Sequence, residues 1–168
     1  PARPSPRSTV ATLTEIAEPM RLLFARVGTL ICPTCDQVVI AHRAADVIAA
    51  LGAMPIGTKA TIAFPVIVPE AADQSAWLAS LLEEGYIRMQ IGGSVHRIDE
   101  NPPALMPGQK VWIPLDRIEI GKVTPERLTE SIDAAFRRGD GRIGVLSNAN
   151  DFVYDQRCYC ARCDRQYP

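Results

Sequence analysis

The apolar positions of this chain change period along its length, and each change marks an element. From residue 8 to 27 they recur at helical spacing, with Val10, Leu13, Ile16, Met20, Leu23, Phe24 and Val27 on one stripe. Thr12 and Glu15 have the spacing of a capping box. Pro19 would cost about 3 kcal/mol inside a continuous helix. The pattern therefore predicts either a kink there or a fresh helix with Glu18 before it and Pro19 in its first turn. Gly28 stops the helix, Cys32-Pro-Thr-Cys35 follows as a tight turn, and a second amphipathic helix is predicted over Ala44 to Leu51, closed by Gly52.

From Ala60 the period shortens. Ala60 to Val68 is β-branched and apolar, and Pro65 within it predicts an edge or bulged strand. Asp73 is placed to cap a helix carrying Trp77, Leu78, Leu81 and Leu82, with Gly85 as its left-handed stop. Tyr86 to Ile91, Gly92-Gly93 and Val95 to Ile98 read as a hairpin, because two glycines accept the positive φ of a two-residue turn. Asn101 to Gly108 is a proline-rich loop, and Val111 to Ile120 a long strand with one edge unpaired at Pro114. Next comes the strongest helical signal. Thr124 caps it, Pro125 opens it, Leu128, Ile132, Ala135 and Phe136 form its stripe, Arg137 and Arg138 close it and Gly139 ends it. Arg142 to Ser147 and Phe152 to Asp155 form a second hairpin. The order strand, helix, hairpin, strand, helix, hairpin predicts an α+β fold, a mainly antiparallel sheet with helices on one face, and no internal sequence repeat is visible.

Charge and composition narrow the classes. The 168 residues are 47% apolar, enough for a core, and the net charge of −1 excludes a uniformly basic nucleic-acid binder. The charges are unevenly placed: residues 1–35 and 156–168 are positive and the middle is acidic. The longest uncharged stretch, Val47 to Thr58, is too short to cross a bilayer, which takes about 20 residues. No signal peptide opens the chain, so a cytoplasmic protein without membrane association is expected, and the start at Pro1 reads as a piece of a longer protein.

Both positive ends also hold all five cysteines. Cys32/Cys35 and Cys160/Cys163 are two Cys-x-x-Cys pairs, each able to offer two thiolates to one tetrahedral zinc. A disulfide network would leave a fifth cysteine over in a chain with no secretory signal. The expected cofactor is a structural Zn²⁺ that clamps the two ends of the module folded between them. Asp36 and Asp164 follow the second cysteine of each pair, where a left-handed residue is usual, and aspartate visits that region more readily than most. Cys158 reads as a spare thiol, or as a replacement ligand for Cys160. His42 and His96 read as surface or capped histidines, Trp77 and Trp112 as core, and Asp116, Glu119, Glu126 and Glu130 as surface charges. No catalytic constellation or phosphate-cradling Gly-rich loop is present, so neither catalysis nor ATP binding is expected of this chain.

Three stretches carry a family resemblance: Pro6-Arg-Ser-Thr-Val-Ala-Thr-Leu-Thr-Glu-Ile16, Arg21-Leu-Leu-Phe-Ala-Arg-Val-Gly28 and Ile31-Cys-Pro-Thr-Cys35. They resemble the UvrA family, the damage-recognition ATPases of bacterial nucleotide excision repair, where such a string leaves the first nucleotide-binding domain for an inserted domain that binds UvrB. The likeness continues through Glu84-Gly-Tyr-Ile-Arg88 and Leu115-Asp-Arg117 to the second cysteine pair. It departs at Cys35, where the family often has histidine, at Ala17-Glu18-Pro19, and in the acidic loop Glu70-Ala-Ala-Asp73.

The resemblance implies residues 1–36 as an outgoing stalk with the first cysteine pair, 37–156 as a UvrB-binding domain, and 157–168 as the returning stalk. It implies UvrB as partner, contacted by Arg88 and Arg117, with DNA and the DNA-dependent ATPase activity belonging to the full-length protein, a homodimer, and this piece a monomer. Family members also carry a further Cys-x-x-Cys beyond this stretch, so Cys160/Cys163 have two possible partners. The alternative function is a zinc-stapled nucleic-acid contact module using Arg3, Arg7, Arg157, Arg162 and Arg165.

Overall fold

A computed structural model describes residues 15–147, 150–160 and 162–167. The first helix of the described residues, α1 (Ala17–Val27), starts after the turn at Glu15, so that Pro19 lies in its first turn. Of the expected capping box, Thr12 lies outside the described residues, and Glu15 stands ahead of the helix with φ +59°. Gly28 ends α1 in extended conformation while its N–H donates to the Phe24 carbonyl at 2.8 Å. None of the residues of α1 is buried, and Leu22, Leu23, Phe24 and Val27 are exposed among the described residues.

Two short antiparallel ribbons follow the termini: β1 (Leu30–Ile31) with β2 (Val38–Val39), and β9 (Tyr159–Cys160) with β10 (Arg165–Gln166). Between them lie α2 (Ala44–Gly52), β3 (Lys59–Ile67), a 3-10 turn at Ala71–Asp73, α3 (Gln74–Glu83), β4 (Arg88–Ile91) and β5 (Ser94–Arg97). After these come β6 (Lys110–Glu119), α4 (Pro125–Arg138), β7 (Arg142–Ser147) and β8 (Asp151–Asp155). The architecture is the α+β one that the element order predicts, with a single six-stranded antiparallel sheet in the order β5-β4-β6-β3-β7-β8.

The pairing makes two interlocked units. In β3-α3-β4 the strands run parallel with β6 between them, and in β6-α4-β7 they run parallel with β3 between them. Each unit thus wedges its first strand into the other, and β3 and β6 form the centre of the sheet.

Alternation sets which face is covered. Ala60, Ile62 and Phe64 point the same way from β3. Ala60 and Ile62 pack with Leu128, Ile132 and Phe136 of α4 and with Val47 and Leu51 of α2. Phe64 packs with Leu81 of α3 and with Met89, Val111 and Ile113. Two sub-cores therefore lie side by side on one face, and the opposite face carries no helix among the described residues. Trp112, read as core in the sequence, is half-buried on that opposite face: its ring lies over β7, where a Cβ on Gly144 would come within 2.8 Å of it. Trp77 does join the core around Leu81.

Proline positions explain the irregularities. The register of β3 against β6 slips between Ile62/Asp116 and Ala63/Pro114, which leaves Leu115 as the extra residue of a bulge. Past Gln90↔Trp112, β6 has no partner on its β4 side, so Pro114 removes no ladder bond there. Pro65 sits in β3 beyond the last pairing with β7. The hairpin turn is as read, with Gly92 at φ +55° and Gly93 at +86°, and Gly85 stops α3 at φ +89°. Asp73 occupies the N-cap position of α3, but its side chain makes no cap bond. The preceding 3-10 turn holds it at φ −100°, ψ −7°, and an N-cap side chain needs an extended backbone to reach the helix. Thr124 has that backbone and accepts from the Arg127 N–H at 3.4 Å.

Candidate metal centre and interaction surface

Each cysteine pair occupies the turn of one terminal ribbon. In the first, the Cys32 N–H donates to the Gln37 carbonyl at 2.8 Å and the Asp36 N–H to the Cys32 carbonyl at 2.9 Å. Asp36 (φ +58°) and Asp164 (φ +49°) take the left-handed position after each pair, as their placement predicts. The sulfurs of Cys32, Cys35, Cys160 and Cys163 lie within 4.8 Å of one another, at 3.8 Å for Cys32 and Cys163 and 3.5 Å for Cys35 and Cys160. A tetrahedral ion with sulfur ligands at about 2.3 Å needs edges of about 3.8 Å. Cys158 packs on the flank of the cluster with Val39 and Tyr167 but is not one of the four.

The thiols cannot all ionise on their own. The Tyr167 hydroxyl donates to Cys32 Sγ at 3.1 Å and brings that thiol down to about 5. The hydrogen bond with Cys35, together with burial, pushes Cys163 up to about 12. A soft cation is the group that would let four thiolates share this space, and the closed all-sulfur donor set fits zinc.

A buried polar junction ties this knuckle to the sheet. Asp155, at the end of β8 and 1% exposed, accepts from Arg142 Nε at 2.8 Å, Arg157 Nε at 3.0 Å and the Arg157 N–H at 2.9 Å. Burial raises the carboxyl, but the hydrogen bonds from Arg157 and Arg142 outweigh it and hold Asp155 below its usual value. Arg142 lies 3.7 Å over the Tyr159 ring, and Asp164 draws in the Tyr159 hydroxyl, Lys110 at 3.4 Å and Arg142 at 3.6 Å. The His42 backbone N–H donates to the Asp155 carbonyl at 2.7 Å, and its imidazole Nδ1 accepts from the Asp155 N–H at 3.4 Å, which makes this half-buried histidine a capped one. Arg157 also pairs with Asp140 at 3.1 Å, so it is engaged internally. Of the other stalk arginines, Arg165 lies 5.6 Å over Tyr167, Arg162 is exposed, and Arg3 and Arg7 fall outside the described residues.

Arg88 opens β4 and Arg117 stands in β6, and the two line one small cleft of about 180 Å³ with Tyr86, Pro114 and Leu115. Their acidic neighbours are engaged elsewhere. Asp116, which reads as a surface charge in the sequence, is instead a brace between sheet and helix: it accepts from Arg127 at 2.7 Å and from Ser131 at 2.7 Å. Glu119 pairs with Lys122 at 2.7 Å. Among the described residues neither Arg88 nor Arg117 is in an ion pair, in contrast to Arg97, Arg127, Arg138, Arg142 and Arg157.

The class these features define is an α+β interaction module set on a four-cysteine knuckle. The family model described as the UvrA interaction domain matches residues 43–149, from just before α2 to beyond β7, and the chain belongs to that family. It is 34% identical to UvrABC system protein A of Mycobacterium bovis over 139 residues, covering 82% of this chain and 14% of that protein. It is 31% identical to UvrABC system protein A of Thermus thermophilus over 145 residues, 84% of this chain and 15% of that protein. The counterpart from Clostridium acetobutylicum is 28% identical over 162 residues, 95% of this chain and 17% of that protein. The chain thus spans about a sixth of the length of these relatives. No helix among the described residues is long and apolar enough to cross a membrane.

Proposed function

We propose that this chain is the module through which a UvrA-type protein recruits UvrB in nucleotide excision repair, with residues 37–156 as the docking domain. One observation carries the reading: Arg88 and Arg117 share one exposed cleft and have no ion-pair partner among the described residues. Planar guanidinium groups held this way suit paired recognition of carboxylates, which lysine cannot reproduce. Truncating one member of a buried interfacial charge pair costs about 2–5 kcal/mol. Arg88→Ala and Arg117→Ala should each weaken binding of UvrB from the same source roughly thirtyfold or more, while the melting temperature barely moves. Calorimetric titration measures this, and a double variant that binds as tightly as the parent ends the assignment.

Cys32, Cys35, Cys160 and Cys163 hold a structural Zn²⁺ in this reading, supported by the sulfur spacing and by the fit of four thiolates to a closed site. Elemental analysis of protein purified without chelator should give one zinc per chain. DNA binding, the ATPase activity and dimerisation belong to the longer protein. Engagement of Arg157 with Asp155 and Asp140 removes one of the five stalk arginines of the alternative reading from phosphate contact.

A further inference from the structure

Side-chain alternation breaks once along β6, and the break decides where Arg117 points. Val111 and Ile113 belong to the core under α3, whereas Ile118 and Ile120 belong to the core under α4, on the same face of the sheet. Ile113 and Ile118 are an odd number of positions apart, so an unbroken strand could not send both to that face. The cross-strand partners locate the change. Phe64 and Ile62 share the helix side of β3, and they lie opposite Ile113 and Asp116, with Leu115 inserted between Pro114 and Asp116. With straight pairing past Ala63↔Pro114, Arg117 would stand opposite Ala60, whose neighbours include Leu128, Ile132 and Val47. The inserted residue instead sets Arg117 opposite Thr61, exposed on the open face. Arg88 is on that face too, because Met89 beside it lies in the core. Re-aiming a side chain is what a bulge beside a functional site does.

The bulge is held at each of its residues. Pro114 has its φ locked by its ring. Leu115 packs against the core under α3. Asp116 is pinned to α4: it accepts from Arg127 Nη2 at 2.7 Å and Nε at 3.3 Å, and from Ser131 Oγ at 2.7 Å. Burial raises this carboxyl, but the hydrogen bonds from Arg127 and Ser131 outweigh it and hold Asp116 below its usual value. Neighbouring residues of a strand face opposite ways, so a carboxylate fixed to the helix fixes the following arginine away from it. The same bonds keep Asp116 from neutralising Arg117, which is in no ion pair among the described residues.

We propose that Asp116, through Arg127 and Ser131, is the positioning residue for Arg117: it holds the bulge so that the guanidinium already faces the docking cleft before a partner carboxylate arrives. The proposal rests on the UvrB reading and names what gives that cleft its geometry. Ordering a charged side chain in advance reduces the entropy lost on association.

Arg127 is 61% exposed, so Arg127→Met removes the brace from the helix side without opening the core, and Asp116→Asn removes it from the strand side. In calorimetry of the 168-residue chain with UvrB, each variant should bind about three- to tenfold more weakly than the parent. A double-mutant cycle separates aim from general support. In an Arg117→Ala background either substitution should change affinity less than about twofold, because the residue it aims is gone, whereas in an Arg88→Ala background the full loss should persist. On the free chain, nitrogen relaxation at the Arg117 amide and Nε should show less order in both variants than in the parent. A loss of equal size in the two arginine backgrounds would make Asp116 a structural brace only, and unchanged affinity in the parent background would deny it any part in binding. Either result overturns the proposal and leaves the docking cleft standing. If Arg117→Ala alone binds UvrB as tightly as the parent, Arg117 is no docking residue and the proposal falls with that reading.

Discussion

Tyr167 is the side chain on which the cysteine cluster leans from outside. Its hydroxyl reaches Cys32 Sγ at 3.1 Å, and its N–H donates to the Cys158 carbonyl at 2.7 Å, so the ring is pinned at one end by the ribbon and at the other by a thiol. A hydroxyl aimed at a sulfur stabilises the thiolate over the thiol and orients it, the role that outer partners of metal ligands commonly play. Tyr167→Phe keeps the ring and removes only that donor. It should weaken zinc retention about ten- to a hundredfold in a competition with a colorimetric chelator, while far-ultraviolet dichroism stays unchanged. Equal retention in the two proteins would reduce Tyr167 to a packing residue. No sequence motif marks this tyrosine, because its partner lies 135 positions away and only the closed knuckle brings them together. The aspartates at Asp36 and Asp164 were legible for the opposite reason: left-handed backbone after a Cys-x-x-Cys turn is a local demand, answered by a local residue type.

At the scale of elements, the junction between β7, β8 and the second ribbon rests on one carboxylate. Asp155 is buried between two arginines, and removing one partner from such a set leaves charge without compensation, at about 3–5 kcal/mol. Asp155→Ala should lose stability of that order in urea unfolding. The acid dependence has a definite sign. The native carboxyl lies below its unfolded value of about 3.9, so its contribution is present above that pH and disappears as pH falls through the native value. Urea midpoints followed from about pH 6 to about pH 2 should therefore fall steeply for the parent and less for Asp155→Asn, which starts lower. Parallel curves would place the acid sensitivity elsewhere. The helices and hairpins themselves were readable, since Thr124-Pro125, the stripe of α4 and the Gly92-Gly93 turn act within a few residues. Their pairing was not. That β3 lies between β6 and β7 follows from two units wedging into each other, and periodicity names a strand's faces but not its neighbours. The missed cap at Asp73 has the same origin, a 3-10 turn that fixes the backbone before the side chain can act.

For the whole molecule, the question is whether sheet and knuckle stand or fall together. The sheet has its own cores, thirteen buried residues around Ile62, Ile132 and Val145 and seven around Phe64, Met89 and Ile113, none of them in the terminal ribbons. The knuckle has almost none: apart from Val39 its buried members are Cys32 and Cys160 themselves, and each ribbon has two residues a strand. Small zinc modules draw about 10–16 kcal/mol of apparent folding energy from the metal because nothing else holds them. Here that dependence should be confined to the ribbons. Stripping the metal with a chelator should abolish hydrogen-exchange protection at Cys32, Asp36, Cys160 and Tyr167, and leave β3, β6, β7 and α4 protected. The boundary should fall at Asp155, whose bonds to Arg142 lie on the sheet side. If Arg88 and Arg117 are the docking residues proposed above, affinity for UvrB should change little, since both stand on the sheet. Global unfolding on chelation would show that the two cores do not suffice without the clamp, and unchanged protection at the ribbons in metal-free protein would show that the four thiols need no ion.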